Sequence, residues 1–313
     1  MKPEHIDPAL DTAGIDIRMN EGQPERDPTL RVIRPRAQVG SPPEPDVHGI
    51  TELGRVRAHN DDHFLVSDLS RSLWIRSSSV GHAGPRRPVT TRQAHLYVVA
   101  DGMGGHGGGE IASSVAMDAV ADYVFEAMPW FAHLDRAHGD AQTEELRAAL
   151  LQSQQRVFAV AARKGLSHLR MGTTLTLAYV AWPMLYVLHA GDSRCYLSRA
   201  DQLWRMTTDH TLAQALEQHP QLRDVAPGNT THVLTNAVGA GTDELSAEIR
   251  RAELVPGDRL LLCTDGLTAH VSDPEIAVAL AQPETSAETA RSLVDLANAR
   301  GGSDNVTVVV ARF

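Results

Sequence analysis

The stretch Leu96-Tyr97-Val98-Val99-Ala100-Asp101-Gly102-Met103-Gly104-Gly105-His106-Gly107 decides how the rest of the chain reads. Its apolar run, rich in β-branched and aromatic residues, has strand character and leads straight into a carboxylate and a glycine loop. After the loop, Ile111, Val115, Ala119 and Tyr123 recur at every fourth position, which predicts a helix over 110–128. The same order of features returns twice. Residues 185–190 pass through Gly191 into Asp192, and Leu260-Leu261-Leu262-Cys263-Thr264 runs into Asp265. Asp61-Asp62 and Asp304-Asn305 come instead just before apolar runs. In an antiparallel sheet the start of one strand lies at the same edge as the end of its neighbour, so these carboxylates can converge on one edge.

Aspartate favours turns and is common at strand ends for that reason alone. The repeated apolar ramp with a flanking glycine, as in Asp101-Gly102, Gly191-Asp192 and Asp265-Gly266, goes beyond that. Clustered carboxylates repel one another unless cations sit among them. An all-oxygen site selects Mg²⁺ or Mn²⁺ rather than zinc. Residues 102–107 also fit the G-x-G-x-x-G dinucleotide fingerprint. Against that reading, Asp101 would set a carboxylate beside the pyrophosphate, and no strand ending in an acidic residue follows at the required distance.

Strands are expected at 63–66, 96–100, 174–181, 185–189, 195–198, 259–263 and 306–311, and a second long helix at 144–162. Ser272 with Glu275 and Thr285 with Glu288 have capping-box spacing and predict two further helices, the second ending near Gly301. Strands and paired helices without strict alternation give an α+β layered domain. Residues 1–47 are Pro-rich and charged, without apolar period, and read as a disordered N-terminal extension, leaving 48–313 as the folded domain. Residues 77–93 read as a long surface loop. The uncharged span 171–191 is long enough for a membrane helix, but Pro183 in its middle and Thr173, Thr174 and Thr176 at one end favour two strands joined by a turn at Trp182-Pro183-Met184.

The 313 residues carry a formal charge of −10, which argues against nucleic-acid and anionic-membrane partners. The N-terminus lacks the pattern of a secretory signal, and the two cysteines, Cys195 and Cys263, each sit in an apolar run. A reducing cytoplasm is the expected location.

In order along the chain, Gly54-Arg55-Val56-Arg57-Ala58-His59-Asn60-Asp61-Asp62, Val99-Ala100-Asp101-Gly102-Met103-Gly104-Gly105-His106, Met171-Gly172-Thr173-Thr174, Gly191-Asp192-Ser193-Arg194, Leu262-Cys263-Thr264-Asp265-Gly266-Leu267 and Ser303-Asp304-Asn305-Val306-Thr307 resemble the motifs of the PPM-type (type 2C) metal-dependent serine/threonine protein phosphatases, especially the bacterial ones. The resemblance runs from about residue 48 to the C-terminus. It implies two antiparallel sheets packed face to face, with a helix pair on each outer side. It implies hydrolysis of phosphoserine and phosphothreonine in proteins by a water activated at a two-metal site, with Mn²⁺ or Mg²⁺ as cofactor. Asp101 would bridge the two ions, Asp265 and Asp304 would complete the first, and Asp61 with the Gly102 carbonyl would hold the second. Asp62 would orient a metal-bound water, Arg57 would clamp the substrate phosphate, and Asp192 with Asp265 would take a third, weaker ion.

Asp61 stands where the family usually has Glu, one methylene longer, which favours a water-mediated contact over direct coordination. Met103 stands where eukaryotic relatives carry a candidate acid His, and His106 receives no catalytic role. Residues 208–239 correspond to a short flap, whose His210, His219 and His232 are expected at the surface. The implied partners are phosphoproteins of a Ser/Thr kinase, and the chain is expected to be a monomer. The same fold could also serve as a pseudo-phosphatase that binds phosphoproteins without turnover; retention of Arg57, Asp101, Asp265 and Asp304 together favours the enzyme.

A Pro-rich charged segment buries too little apolar area to support a core. Deleting residues 1–45 should therefore leave turnover of a small aryl phosphate nearly unchanged. A truncated protein that fails to fold would place the segment inside the domain.

Overall fold

The computed structural model describes residues 44–73, 89–105, 107–126, 139–166, 171–218, 233–240 and 244–313. His106, His219, His232, residues 1–43 and most of the expected 77–93 loop lie outside the described residues. In chain order the elements are β1 (Asp46–Glu52), β2 (Asp62–Leu73), β3 (Val89–Met103), α1 (Gly108–Glu126), α2 (Gly139–Arg163), β4 (Gly172–Thr173), β5 (Leu175–Ala181) and β6 (Met184–Ala190). They continue with β7 (Arg194–Arg199), β8 (Gln202–Arg205), α3 (Leu212–Gln218), β9 (Val238–Gly239), β10 (Glu248–Glu253), β11 (Arg259–Cys263), α4 (Asp265–Thr268), α5 (Asp273–Ala281), α6 (Ser286–Ala299) and β12 (Val306–Arg312).

One sheet runs β1-β12-β11-β7-β8; the other runs β10-β6-β5-β3-β4-β9, with β2 also paired to β3. Every strand pairing is antiparallel. Side-chain alternation along each central strand sends successive residues into different apolar layers. On β3, Leu96, Val98 and Ala100 pack with Ala112, Ala116 and Val120 of α1, while Tyr97 and Val99 turn to the opposite face. There they meet Leu260 and Leu262 of β11, whose neighbours Leu261 and Cys263 face Ile276, Leu293 and Val294 of α5 and α6. The result is the expected α+β sandwich: two antiparallel sheets face to face, α1 and α2 outside one, α5 and α6 outside the other.

Both capping boxes are formed, with Glu275 reaching back to Ser272 N and Glu288 to Thr285 N. Beyond α6, Gly301 takes φ +131°, and Gly302 N closes the helix end on Ala297 O. Strand β2 extends to Leu73 and β3 begins at Val89, so within the expected loop residues 89–92 are paired strand, with a bulge at residue 93. The reason is geometric: beyond residue 94 toward its start, β3 pairs only with β2 and not with β5, as a ribbon leaving the sheet, where the apolar pattern of a buried strand is not required. Strands β1, β8 and β10 carried no strand signal for a related reason: each is an edge strand with a largely polar or half-exposed sequence. Strand β1 starts at Asp46, whose carboxylate accepts from Ser286 N at 2.6 Å at the start of α6.

Leu262 is fully buried between the sheets. Leu262→Ala should cost about 2–5 kcal/mol in denaturant unfolding, against about 1 kcal/mol for removing the exposed cap in Thr285→Ala. Equal costs would mean that the inter-sheet layer is not the core.

Candidate metal and phosphate site

Strand register places the first two carboxylates. Asp62, the first residue of β2, pairs directly with Asp101 near the end of β3. The end of β6 delivers Asp192, the end of β11 delivers Asp265 as the first residue of α4, and the start of β12 delivers Asp304. Arg57, Asp61, Asp101, Gly102, Asp192, Asp265 and Asp304 line a single cleft of about 620 Å³. Met103 lines it too, as does the flap segment Leu234, Thr235, Asn236 and Ala237. Asp62 is the exception. It lies beneath the cleft, 3% exposed, with Oδ2 accepting from Thr264 Oγ1 at 2.8 Å and Thr307 Oγ1 at 2.7 Å.

The hydroxyls and amides that hold these carboxylates had no assigned role in the sequence. Thr174 Oγ1 accepts from Asp101 N at 2.9 Å, and the Asp101 carbonyl accepts from Thr174 N and Thr173 Oγ1. Asn305 Oδ1 accepts from Asp61 N at 2.9 Å, while its Nδ2 donates to Leu53 O and His59 O, both at 3.0 Å. One amide thus fastens both ends of the loop that carries Arg57 to the start of β12. A signal for these residues existed: Thr307 interrupts a valine strand and Thr264 ends an apolar one, and a hydroxyl buried in such a run needs a partner. Which partner it finds depends on cross-sheet register, which the sequence does not display.

Gly102 is required by close approach. A Cβ there would lie 2.3 Å from Gly109 O and 2.7 Å from Asp61 O. Gly191 sits at φ +123°, a backbone region that side chains rarely adopt, and it turns the chain from β6 into Asp192. Arg57 is 56% exposed and its guanidinium lies 2.6 Å from Asp304 Oδ2, a contact it can exchange for an incoming anion.

Electrostatically the cleft is uncomfortable without cations. Burial, relieved by the two threonines and aggravated by Asp265 and Asp304, pushes Asp62 up to about 7. Burial, then Asp265 and Asp209, push Asp192 up to about 7. Asp101 is raised well above the carboxylate range by burial and by Asp62, Asp265, Asp192 and Asp304. Burial and Glu110 raise Asp61, against His59 and Arg57. Asp62 Oδ1 is buried without a hydrogen-bond partner. Oxygen-only donors, mutual repulsion and an orphaned carboxylate oxygen together fit hard divalent cations.

A four-layer α+β fold with a carboxylate cleft at the sheet edge defines the class, and the comparisons agree with it. The protein phosphatase 2C profile matches residues 88–302, and the chain belongs to that family. It is 38% identical over 231 residues to the serine/threonine protein phosphatase PstP of Mycobacterium tuberculosis, covering 70% of this chain and 40% of that protein. The chain therefore spans less than half the length of that relative. It is 29% identical over 266 residues to the serine/threonine phosphatase stp of Listeria innocua, covering 83% of this chain and 92% of that one. The crystal structure of the M. tuberculosis phosphatase PstP/Ppp matches at TM-score 0.65 and 33% identity, covering 86% of this chain and 98% of that one. A structure of the PstP catalytic domain in complex with two manganese ions matches at TM-score 0.64 and 33% identity, covering 86% of this chain and 97% of that one.

The pH dependence of the metal-free protein follows from the raised carboxylates. Folded Asp192 keeps its proton up to about pH 7, whereas in the unfolded chain it ionises near 3.8. The folded state therefore binds more protons, and the stability linked to Asp192 is present below the unfolded value and lost as pH rises through about 7. In chelator, Asp192→Asn should gain on the wild type between pH 4 and 7, by up to about 4 kcal/mol, and hold that gain above pH 8. The difference between variants cancels the opposite trend of His189, which burial lowers to about 4. A gain that does not vary with pH would contradict a carboxyl raised by burial and its acidic neighbours.

Proposed function

We propose that the chain hydrolyses phosphoserine and phosphothreonine in proteins, reversing Ser/Thr kinase signalling, with Mn²⁺ or Mg²⁺ as cofactor. The observation that carries this reading is the gathering of Asp61, Asp101, Asp192, Asp265 and Asp304 in one cleft with Arg57. Asp101, Asp265 and Asp304 would hold one ion, Asp101 and Asp61 with the Gly102 carbonyl a second, and Asp192 with Asp265 a weaker third. Bound divalent ions supply the positive charge that acidifies an attacking water and offsets charge on the phosphoryl group.

The chain's own groups do the rest. Arg57 gives up Asp304 and binds phosphate oxygens through its planar fork, which orients the phosphoryl group in the cleft. Asp62, locked by Thr264 and Thr307 through one oxygen, leaves the other buried without a hydrogen-bond partner and would orient the attacking water. Thr174 and Thr173 fix the Asp101 backbone, so the carboxylate presents one geometry. No cysteine serves as nucleophile: both are buried, and burial raises the Cys263 thiol to about 12. The phosphoprotein substrates, a monomeric state and a cytoplasmic location belong to this same proposal.

Purified protein should hydrolyse an aryl phosphate in a Mn²⁺-dependent manner. Asp265→Asn and Asp304→Asn should each lower turnover by roughly 100-fold and weaken Mn²⁺ binding in calorimetric titration, while leaving the fold intact. Wild-type protein without turnover on any divalent ion would leave a pseudo-phosphatase that binds phosphoproteins. Unchanged affinity in both variants would refute the ligand assignment.

A further inference from the structure

His210 was expected at the surface, yet the structure sets it between the flap and the carboxylate edge. Its backbone N donates to Gly191 O at 2.7 Å, and its carbonyl accepts from Thr235 N at 2.9 Å. Its ring Nδ1 receives two donors, Gly191 N at 3.1 Å and Asn236 Nδ2 at 3.0 Å. The orientation of the Asn236 amide follows from its other contacts. Oδ1 accepts from Ser246 N at 3.0 Å and Nδ2 donates to Ser246 O at 2.7 Å, so it is the NH₂ end that faces the imidazole. With N–H groups on both sides, Nδ1 carries the lone pair and Nε2 the proton, directed toward Glu248 Oε2 at 3.6 Å.

His189 backs this ring, their centroids 4.7 Å apart, and is itself fully buried. Its Nε2 meets Thr208 O at 3.1 Å and its Nδ1 meets Thr176 Oγ1 at 2.9 Å. His189, His210 and Glu248 bring potential ligand atoms within 4.8 Å of one another, a spacing that would suit a metal ion. The hydrogen bonds decide otherwise. A neutral imidazole has one free lone pair, and in both rings a donor from this chain already occupies it. Glu248 is likewise engaged by Thr208 N and Oγ1 and by Arg250 Nε. Next door, Asp209 is gripped by Arg194 through Nε at 3.0 Å and NH2 at 2.7 Å.

The cluster therefore works as a joint. One arm is Gly191, the turn that precedes Asp192; the other is Asn236, part of the flap segment that lines the cleft. We propose that His210 is a positioning residue that fixes the flap segment Leu234–Ala237 against the Gly191–Asp192 turn, and so sets the width of the cleft entered by a phosphorylated peptide. This rests on the phosphatase reading above and extends it to substrate selection. A small aryl phosphate needs only the carboxylate floor and Arg57. A peptide must also fit its flanking residues past the flap wall, and misplacement of a wall lowers the rate for the larger substrate more steeply.

The test compares wild type with His210→Ala and His210→Asn, the latter placing an Oδ1 acceptor near the position of Nδ1. In chelator, hydrogen exchange at the Gly191 and Ser246 amides should rise about tenfold in His210→Ala and stay near wild type in His210→Asn. With Mn²⁺, kcat/KM on a phosphothreonine peptide should fall about tenfold in His210→Ala, with a much smaller fall on an aryl phosphate, and His210→Asn should recover most of the loss. Asn236→Ala cuts the same joint from the flap side and should reproduce that split, which keeps the proposal open to refutation if His210→Ala fails to fold. Equal falls on both substrates, unchanged exchange, or no recovery by His210→Asn would overturn it. If wild-type protein turns over neither substrate, the phosphatase reading fails, and the exchange measurement still decides whether His210 holds the joint.

Discussion

Like charges at short range, partly withdrawn from water, are the constraint on which the structure turns. Antiparallel pairing sets Asp62 directly against Asp101, and the ends of β6 and β11 and the start of β12 add Asp192, Asp265 and Asp304. Burial raises the proton affinity of Asp62, Asp101 and Asp192, and the neighbouring carboxylates raise it further. A fold stabilised by two sheets and two helix pairs can carry such a locally unfavourable edge, because three apolar layers elsewhere supply the stability. What makes the edge unfavourable when empty is what would favour divalent cations there.

The edge is held in shape by uncharged polar groups placed inside apolar strands. Thr264 and Thr307, from neighbouring strands of one sheet, meet on a single oxygen of Asp62 from the other sheet. Asn305 ties the Arg57 loop down at both ends, and Thr174 bonds the Asp101 backbone while contacting Ser193 beside Asp192. The bonds of Thr264 and Thr307 to Asp62, and of Asn305 to Asp61, cross between the sheets, so the inter-sheet packing and the site geometry are one problem. A shift in either sheet would misalign carboxylates that come from both.

Much of this was legible because charge and hydrophobicity change abruptly at strand ends. The step from Ala100 to Asp101 and from Thr264 to Asp265, each beside glycine, marks both an element boundary and a site, and antiparallel geometry brings such boundaries together. Edge strands β1, β8 and β10 were not legible, since half-exposed strands need no apolar pattern. The ribbon formed by the far ends of β2 and β3 escaped notice for the same reason. His210 was misread because a histidine in a polar flap looks like a surface residue. Its neighbours Gly191 and Asn236 are distant in sequence, and nothing local signals that its ring nitrogen lies between them.

Whether these carboxylates assemble to hold divalent cations is decided by anomalous diffraction from crystals grown with Mn²⁺. Two strong anomalous peaks are expected in the cleft, one within bonding distance of Asp101, Asp265 and Asp304 and the other near Asp101, Asp61 and the Gly102 carbonyl, with Arg57 released from Asp304 when phosphate is present. No peak in the cleft at saturating Mn²⁺, with Asp101 left unligated, would contradict it.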